Sequence, residues 1–114
     1  MLLVAICMFA AAAMAGIFLA TAILTQRKTP LPVALVHGLA GASGLACLAL
    51  FVLSEDEPGS PGVSLLILTT NALLGFYLFS HHLRKKPWPK PLVLVHGLAA
   101  VTGFSLLLVT FFGR

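Results

Sequence analysis

Four long apolar stretches constrain the fold of this chain more than any other feature. They run approximately from Leu2 to Leu24, from Leu31 to Leu53, from Val63 to His82 and from Pro91 to Phe112. None carries Asp, Glu, Lys or Arg in its interior, and each has the roughly 20 residues that a helix needs to cross a bilayer. Because backbone polar groups in lipid must be paired within the segment, each stretch is predicted to be a transmembrane helix. The composition agrees, since 60% of the residues are hydrophobic and only 9% are charged.

The charged residues between the stretches predict an orientation. The first and third loops are basic and the second is acidic, through Arg27, Lys28, Arg84, Lys85, Lys86 and Lys90 on one side and Glu55, Asp56 and Glu57 on the other. The positive-inside rule then places both basic loops in the cytoplasm and both termini outside, and we expect a bacterial inner membrane. The net charge of +4 is read as this topology signal, and no nucleic-acid partner is expected. The first stretch has no basic residues before it, which favours a helix of the mature protein over a cleavable signal peptide.

The sequence also contains an internal repeat with an offset of 59 residues. The hexapeptide LVHGLA occupies residues 35–40 and again residues 94–99, and Gly16, Pro30 and Gly44 have counterparts at 75, 89 and 103. Each half, 1–55 and 60–114, is predicted to be a helical hairpin, and the two hairpins are expected to be parallel repeats. The expected fold is all-α: one transmembrane domain, 1–114, forming an integral membrane four-helix bundle.

Two histidines fall at equivalent points of the second and fourth stretches. Small residues follow each histidine at helical spacing, Gly41 and Gly44 after His37 and Ala100 and Gly103 after His96. The first and third stretches each carry a glycine at comparable depth, Gly16 and Gly75. These small residues are predicted to leave a slot for a flat cofactor between the helices. Two imidazoles on diagonal helices of a bundle can hold a haem iron axially.

Basic side chains near the predicted slot are candidates for contacts with the haem propionates. These are the loop residues Arg27, Lys28, Arg84, Lys85 and Lys86. His82 shares the inward face of the third stretch, so it could contact a propionate or serve as an alternative axial ligand. Snorkelling at the membrane interface is the competing reading of His82.

On His37, His96 and their neighbouring glycines, the chain resembles the membrane b-type cytochromes, in which four-helix bundles hold haem between histidines. The resemblance extends to the whole chain at the level of architecture. It implies one haem b, because no second histidine pair lies towards the other membrane face. It also implies single-electron transfer to or from a quinone or a redox partner protein, with no substrate bound at the metal.

Other interpretations of these residues stay open. An intramembrane histidine can hydrogen-bond a neighbouring helix or handle metal, quinone or protons, and glycines can simply let helices pack closely. The main alternative is therefore a non-catalytic membrane interaction or assembly subunit, and the same faces could form a homo-oligomer. A small antiporter is disfavoured because the bilayer interior has no carboxylate. Asn71 is expected to join two helices by a hydrogen bond, and Cys7 and Cys47 to be packing thiols.

Overall fold

A computed structural model describes residues 1–56 and 59–113. They form four α-helices, α1 (Leu2–Leu24), α2 (Leu31–Ser54), α3 (Gly59–Leu83) and α4 (Lys90–Phe112), and these described residues contain no strand. The expected all-α four-helix bundle is confirmed. Two residues used in the sequence analysis lie outside the described ranges: Glu57 of the acidic loop and Arg114 at the end of the second repeat.

The start of α3 differs most from the sequence expectation. The helix begins four residues before Val63, the expected start, and it includes Pro61. Proline is tolerated in the first turn of a helix because the amide hydrogen that it lacks would have no intrahelical partner there. Pro61 therefore lies in the first turn of α3 and not in the loop before it.

The four helices form a ring in chain order. Among the described residues, α1 contacts α2 and α4, and α3 contacts the same two helices, so that α2 and α4 lie diagonally opposite, as expected. The interfaces within the pairs α1–α2 and α3–α4 are the more extensive ones. The bundle measures 45 × 23 × 21 Å. Side chains of α2 and α4 can therefore meet only across the centre of the bundle.

The outer surface of the bundle is apolar. All four helices are long and apolar enough to cross a membrane. Large side chains point outward along them, with Leu53 82% exposed, Phe112 79% and Met14 74%. The interior of the bundle includes the fully buried side chains of Leu48 and Leu107. An apolar exterior of this extent is expected where lipid replaces water as the solvent.

The two loops at the end nearer the histidines share a backbone conformation. Gln26 and Lys85, which follow α1 and α3, both have a positive φ, of 57° and 52°. The next amide in each loop donates back to the helix, from Arg27 to the Ala22 carbonyl and from Lys86 to the His81 carbonyl. This is the Schellman closure that satisfies the last carbonyls of a helix.

Candidate functional site

His37 and His96 meet across the centre of the bundle. Each lies six residues after the first residue of its helix, Leu31 or Lys90, which places both about 9 Å from the helix start. Their ring centroids are 6.0 Å apart and the ring planes are inclined by 75°. Both residues are half-buried. The structure therefore brings together the two histidines that the repeat predicted to face each other.

Each imidazole is tied to the neighbouring helix of its own hairpin. Nδ1 of His37 is 2.7 Å from the carbonyl oxygen of Ala12, and Nδ1 of His96 is 3.2 Å from the carbonyl oxygen of Asn71. Because a carbonyl oxygen can only accept, Nδ1 must donate in both hydrogen bonds. In the neutral imidazole the lone pair is then on Nε2, and this is the nitrogen left to bind a further group.

The glycines of α1 and α3 give the two imidazoles their space. A Cβ atom at Gly16 would lie 2.9 Å from Cε1 of His37, and one at Gly75 would lie 3.0 Å from Cε1 of His96. Any other residue at these positions would push against the ring. Gly16 and Gly75 therefore lie beside the two histidines, and the group that they accommodate in this structure is the histidine ring.

The small residues further along α2 and α4 do not form one continuous slot. A Cβ atom at Gly44 would lie 2.9 Å from the ring of Phe9, and one at Gly103 would lie 2.7 Å from Cγ of Leu68. These two positions are packing contacts within each hairpin, because a larger side chain fills the space that each glycine leaves.

The turn next to the histidines is less closely packed. Nothing lies within 4 Å of the Cβ position of Gly41, and Ala100, its counterpart, is half-buried.

Asn71 adds a second link between α3 and the helix that carries His96. Its side-chain amide nitrogen donates to the His96 carbonyl oxygen over 3.0 Å, in addition to the bond that its own carbonyl accepts from the His96 ring. The expected interhelical role of Asn71 is confirmed. Its counterpart in the first hairpin is Ala12, which has no side-chain amide and accepts a hydrogen bond from His37 through its backbone carbonyl.

His82 lies nearer the loops than the histidine pair. It is seven residues beyond Gly75 on α3, about 10 Å further along the helix. Its Nδ1 is 3.4 Å from the Thr29 hydroxyl, and its ring packs against Phe79 and Trp88 with centroids 5.9 and 5.7 Å away. Sequence reasoning missed this cluster, in which His82 connects the loops of both hairpins.

The basic loop residues surround the same end of the bundle and are all exposed. Arg84 donates back to the Ser80 hydroxyl and carbonyl oxygens, which holds it along α3. Arg27 and Lys28 line a cleft with Phe18, Thr21 and Ala22. The structure places none of the five basic residues in a contact with His37 or His96, so their role towards propionates stays a prediction.

The donor set limits the chemistry of this site. Within the described residues, no three His, Cys, Asp or Glu side chains cluster as a metal site. Structural zinc sites generally need four such ligands and catalytic zinc sites three. Two imidazoles alone match the axial positions of a haem iron, because the macrocycle supplies the other four nitrogens.

Comparison of the chain with protein-family models, with curated proteins and with solved structures finds no match.

Proposed function

We propose that this protein is an integral membrane haem b protein that transfers single electrons, with the iron held between His37 and His96. The observation that carries the proposal is the pairing of two Nδ1-bonded imidazoles at a ring-centroid distance of 6.0 Å. An ion about 2 Å from each ring nitrogen separates the centroids of two opposed imidazoles by about 6 Å. The observed centroid distance is close to this value, which supports the proposal.

The hydrogen bonds at Nδ1 support the same proposal. Histidines that bind a metal commonly donate their other ring N–H to a carbonyl or carboxylate, which fixes the tautomer and orients the lone pair. Here the Ala12 and Asn71 carbonyls have this role. Gly16 and Gly75 allow the rings to lie close to α1 and α3. Bound between the two rings, haem would supply one reversible single-electron centre without an open coordination site.

The membrane arrangement is part of the proposal. Two parallel hairpins, related by the repeat, cross the membrane with the basic loops in the cytoplasm and both termini outside, in a bacterial inner membrane. The positions of the two histidines support the parallel relation of the two hairpins, since each lies six residues after the start of its helix. Arg27, Lys28 and the run Arg84 to Lys86 would then lie at the cytoplasmic face, available to propionates. Membrane lipid surrounds the bundle, and a quinone or a redox protein exchanges the electron.

An absorbance spectrum tests the proposal. The full chain, purified from haem-replete cells, is expected to show a sharp reduced α-band and one haem per chain by pyridine haemochrome assay. His37→Ala and His96→Ala should each abolish the bis-histidine spectrum. His81→Ala is the matched control, because the His81 ring faces the Pro87 carbonyl oxygen outside the pair. A colourless preparation that is folded by circular dichroism would contradict the proposal.

A second candidate function is a non-catalytic membrane interaction or assembly subunit without a cofactor. It is favoured by Gly38 and Gly97, which are exposed and have nothing within 4 Å of their Cβ positions. Small exposed residues let another helix approach closely. This function predicts that Gly38→Leu abolishes a crosslinked homo-oligomer or partner complex in a protein that never carries a chromophore.

A further inference from the structure

A basic cleft at the loop end of α1 carries an inference that is independent of haem. It has a volume of about 240 Å³ and is lined by Phe18, Thr21, Ala22, Arg27 and Lys28. This volume is below the roughly 300 Å³ at which pockets for whole small ligands begin. The basic cleft therefore suits a small headgroup whose hydrocarbon chains remain outside it.

The basic cleft faces away from the histidine pair. Gly16 lies against the His37 ring on the inner face of α1. At about 100° per residue, Phe18, Thr21 and Ala22 lie roughly 140–240° further round the helix than Gly16. Phe18 is 52% exposed. A group in the cleft therefore contacts the outer surface of the bundle and not the imidazoles.

Two cations line the basic cleft, and the described carboxylates are far from them. Arg27 and Lys28 are exposed, and the Arg27 amide donates to the Ala22 carbonyl over 2.7 Å, which holds the loop against the end of α1. Glu55 and Asp56 follow α2 at the opposite end of the bundle, about 35 Å away along that helix. The charge of the cleft therefore favours an anion.

The rest of the lining indicates which class of anion fits. The Arg27 guanidinium can bind two phosphate oxygens at once, and the Thr21 hydroxyl can donate to a third. The Phe18 ring offers an apolar surface beside these donors, on a helix that is long and apolar enough to cross a membrane. A phosphate that is attached to a hydrocarbon chain satisfies both parts of the lining.

A histidine ring occupies the corresponding place in the second hairpin. The counterparts of Phe18, Ala22 and Lys28, 59 positions further along the chain, are Tyr77, His81 and Pro87. The His81 ring packs on Tyr77 with centroids 5.0 Å apart, and its Nδ1 is 3.2 Å from the Pro87 carbonyl oxygen. The first hairpin has the small Ala22 at this position, which leaves the space between Phe18 and the loop open.

We propose that the basic cleft binds the phosphate of an anionic phospholipid, with Arg27 and Lys28 as counter-charges and an acyl chain along Phe18. Basic residues next to a transmembrane helix attract anionic headgroups, and the cleft gives this attraction a fixed place on the protein. The proposal rests on the membrane location of the bundle and needs no haem. A lipid held here leaves the run Arg84 to Lys86 for the propionates.

Native mass spectrometry of lipid binding tests this proposal. The full chain, purified in detergent micelles and freed of lipid, is titrated with phosphatidylglycerol or with phosphatidylcholine of the same acyl chains. The control lipid has the same phosphate, but its choline makes the headgroup neutral overall. Each basic residue near a headgroup contributes about fivefold, so the wild type should bind the first phosphatidylglycerol about 25-fold more tightly than phosphatidylcholine.

Two double variants remove the same charge from different loops. Arg27→Gln/Lys28→Gln should abolish the preference for phosphatidylglycerol. Lys85→Gln/Lys86→Gln should keep the preference within about threefold at about 0.15 M salt, which screens exposed charges more than about 8 Å apart. These lysines follow α3, which lies diagonally across the bundle from α1.

Ala22→His tests the cleft by filling it. The new ring should take the place that the His81 ring has in the second hairpin, so binding of phosphatidylglycerol should fall although Arg27 and Lys28 keep their charges. The measurement is made near pH 8, where an imidazole is mostly neutral. Ala22 is 6% exposed, so circular dichroism checks the fold of this variant. If it does not fold, the two double variants, which change exposed side chains, decide the test.

Three results would overturn the proposal. The first is a wild type without preference for phosphatidylglycerol, and the second is an equal loss in both double variants, which would indicate diffuse attraction by all basic loops. The third is displacement of the lipid by an equal concentration of soluble glycerol phosphate, which would indicate a site for free phosphate. Haem per chain is measured on the same samples, so a colourless protein that keeps the lipid preference contradicts only the haem proposal.

Discussion

The ring of His37 occupies the space that the missing side chain of Gly16 leaves. A Cβ atom at position 16 would approach Cε1 of His37 to 2.9 Å, while Nδ1 of the ring is held 2.7 Å from the Ala12 carbonyl oxygen. Two contacts with α1 thus hold the ring. The corresponding distances in the second hairpin are longer. A Cβ atom at position 75 would lie 3.0 Å from Cε1 of His96, and Nδ1 of His96 is 3.2 Å from the Asn71 carbonyl oxygen.

Gly16→Ala is therefore expected to disturb the histidine pair more than Gly75→Ala. Overpacking of this kind costs about 1–3 kcal/mol, and replacing glycine by alanine within a helix returns up to about 1 kcal/mol. We expect lower thermal stability and loss of haem in Gly16→Ala, measured by melting and by haem per chain. Gly38→Ala is the control, since its Cβ meets nothing within 4 Å. If Gly16→Ala retains as much haem and stability as Gly38→Ala, the contact between Gly16 and His37 does not position the ring.

The side chain of Asn71 is expected to stabilise the second hairpin. It donates to the His96 carbonyl across the α3–α4 interface, and interhelical hydrogen bonds in membranes contribute about 0.6 kcal/mol on average and up to about 1.7 kcal/mol. Asn71→Ala should lower the free energy of unfolding by an amount in that range, measured by denaturant unfolding in mixed micelles.

Thr102→Val is the control for this prediction. Thr102 is exposed and, among the described residues, bonds to the Leu98 carbonyl of its own helix, so its replacement should leave the unfolding free energy nearly unchanged. An equal loss of unfolding free energy in Asn71→Ala and Thr102→Val would contradict a stabilising role of the hydrogen bond from Asn71 to α4.

Much of the architecture could be predicted from the sequence because the length and apolar character of the four stretches restrict it. A segment of 20 apolar residues in lipid must be helical, and four such segments with short loops form a bundle. The proximity of His37 and His96 was predicted from the two LVHGLA segments, which place each histidine at the same distance from the start of its helix. The early start of α3 at Gly59 was missed because a proline reads equally well as a loop residue or as a first-turn residue.

The filling of the space beside the glycines could not be predicted in this way. A glycine in a helix leaves room for a ring, a ligand or a neighbouring helix, and the sequence does not distinguish these. Here Gly16 accommodates an imidazole and Gly44 accommodates Phe9.

The hydrogen-bond acceptors for the two imidazoles were also missed by the sequence analysis. Every residue carries a backbone carbonyl, so Ala12 gives no signal that its own carbonyl is used.

The contact between Phe9 and Gly44 should show strong energetic coupling. The Cβ of an alanine at 44 would lie 2.9 Å from the Phe9 ring, and both residues are buried. Gly44→Ala alone is expected to cost about 1–3 kcal/mol. In the double variant Phe9→Ala/Gly44→Ala the new methyl group enters space that the ring has vacated. A double-mutant cycle on unfolding free energies should therefore give a coupling of about 0.5–3 kcal/mol, whereas strict additivity would contradict the contact.

The orientation of the bundle can be tested with single cysteines. Cys7 and Cys47 are first replaced by alanine, and a cysteine is introduced as Lys86→Cys in a basic loop or as Asp56→Cys in the acidic loop. Lys86 and Asp56 are exposed and lie at opposite ends of α3. Because basic loops remain in the cytoplasm, a membrane-impermeant maleimide should label position 56 in cells with a permeabilised outer membrane. Position 86 should be labelled only after the inner membrane is also disrupted. The reverse pattern would place the histidine pair near the outer face and remove the proposed cytoplasmic position of the haem.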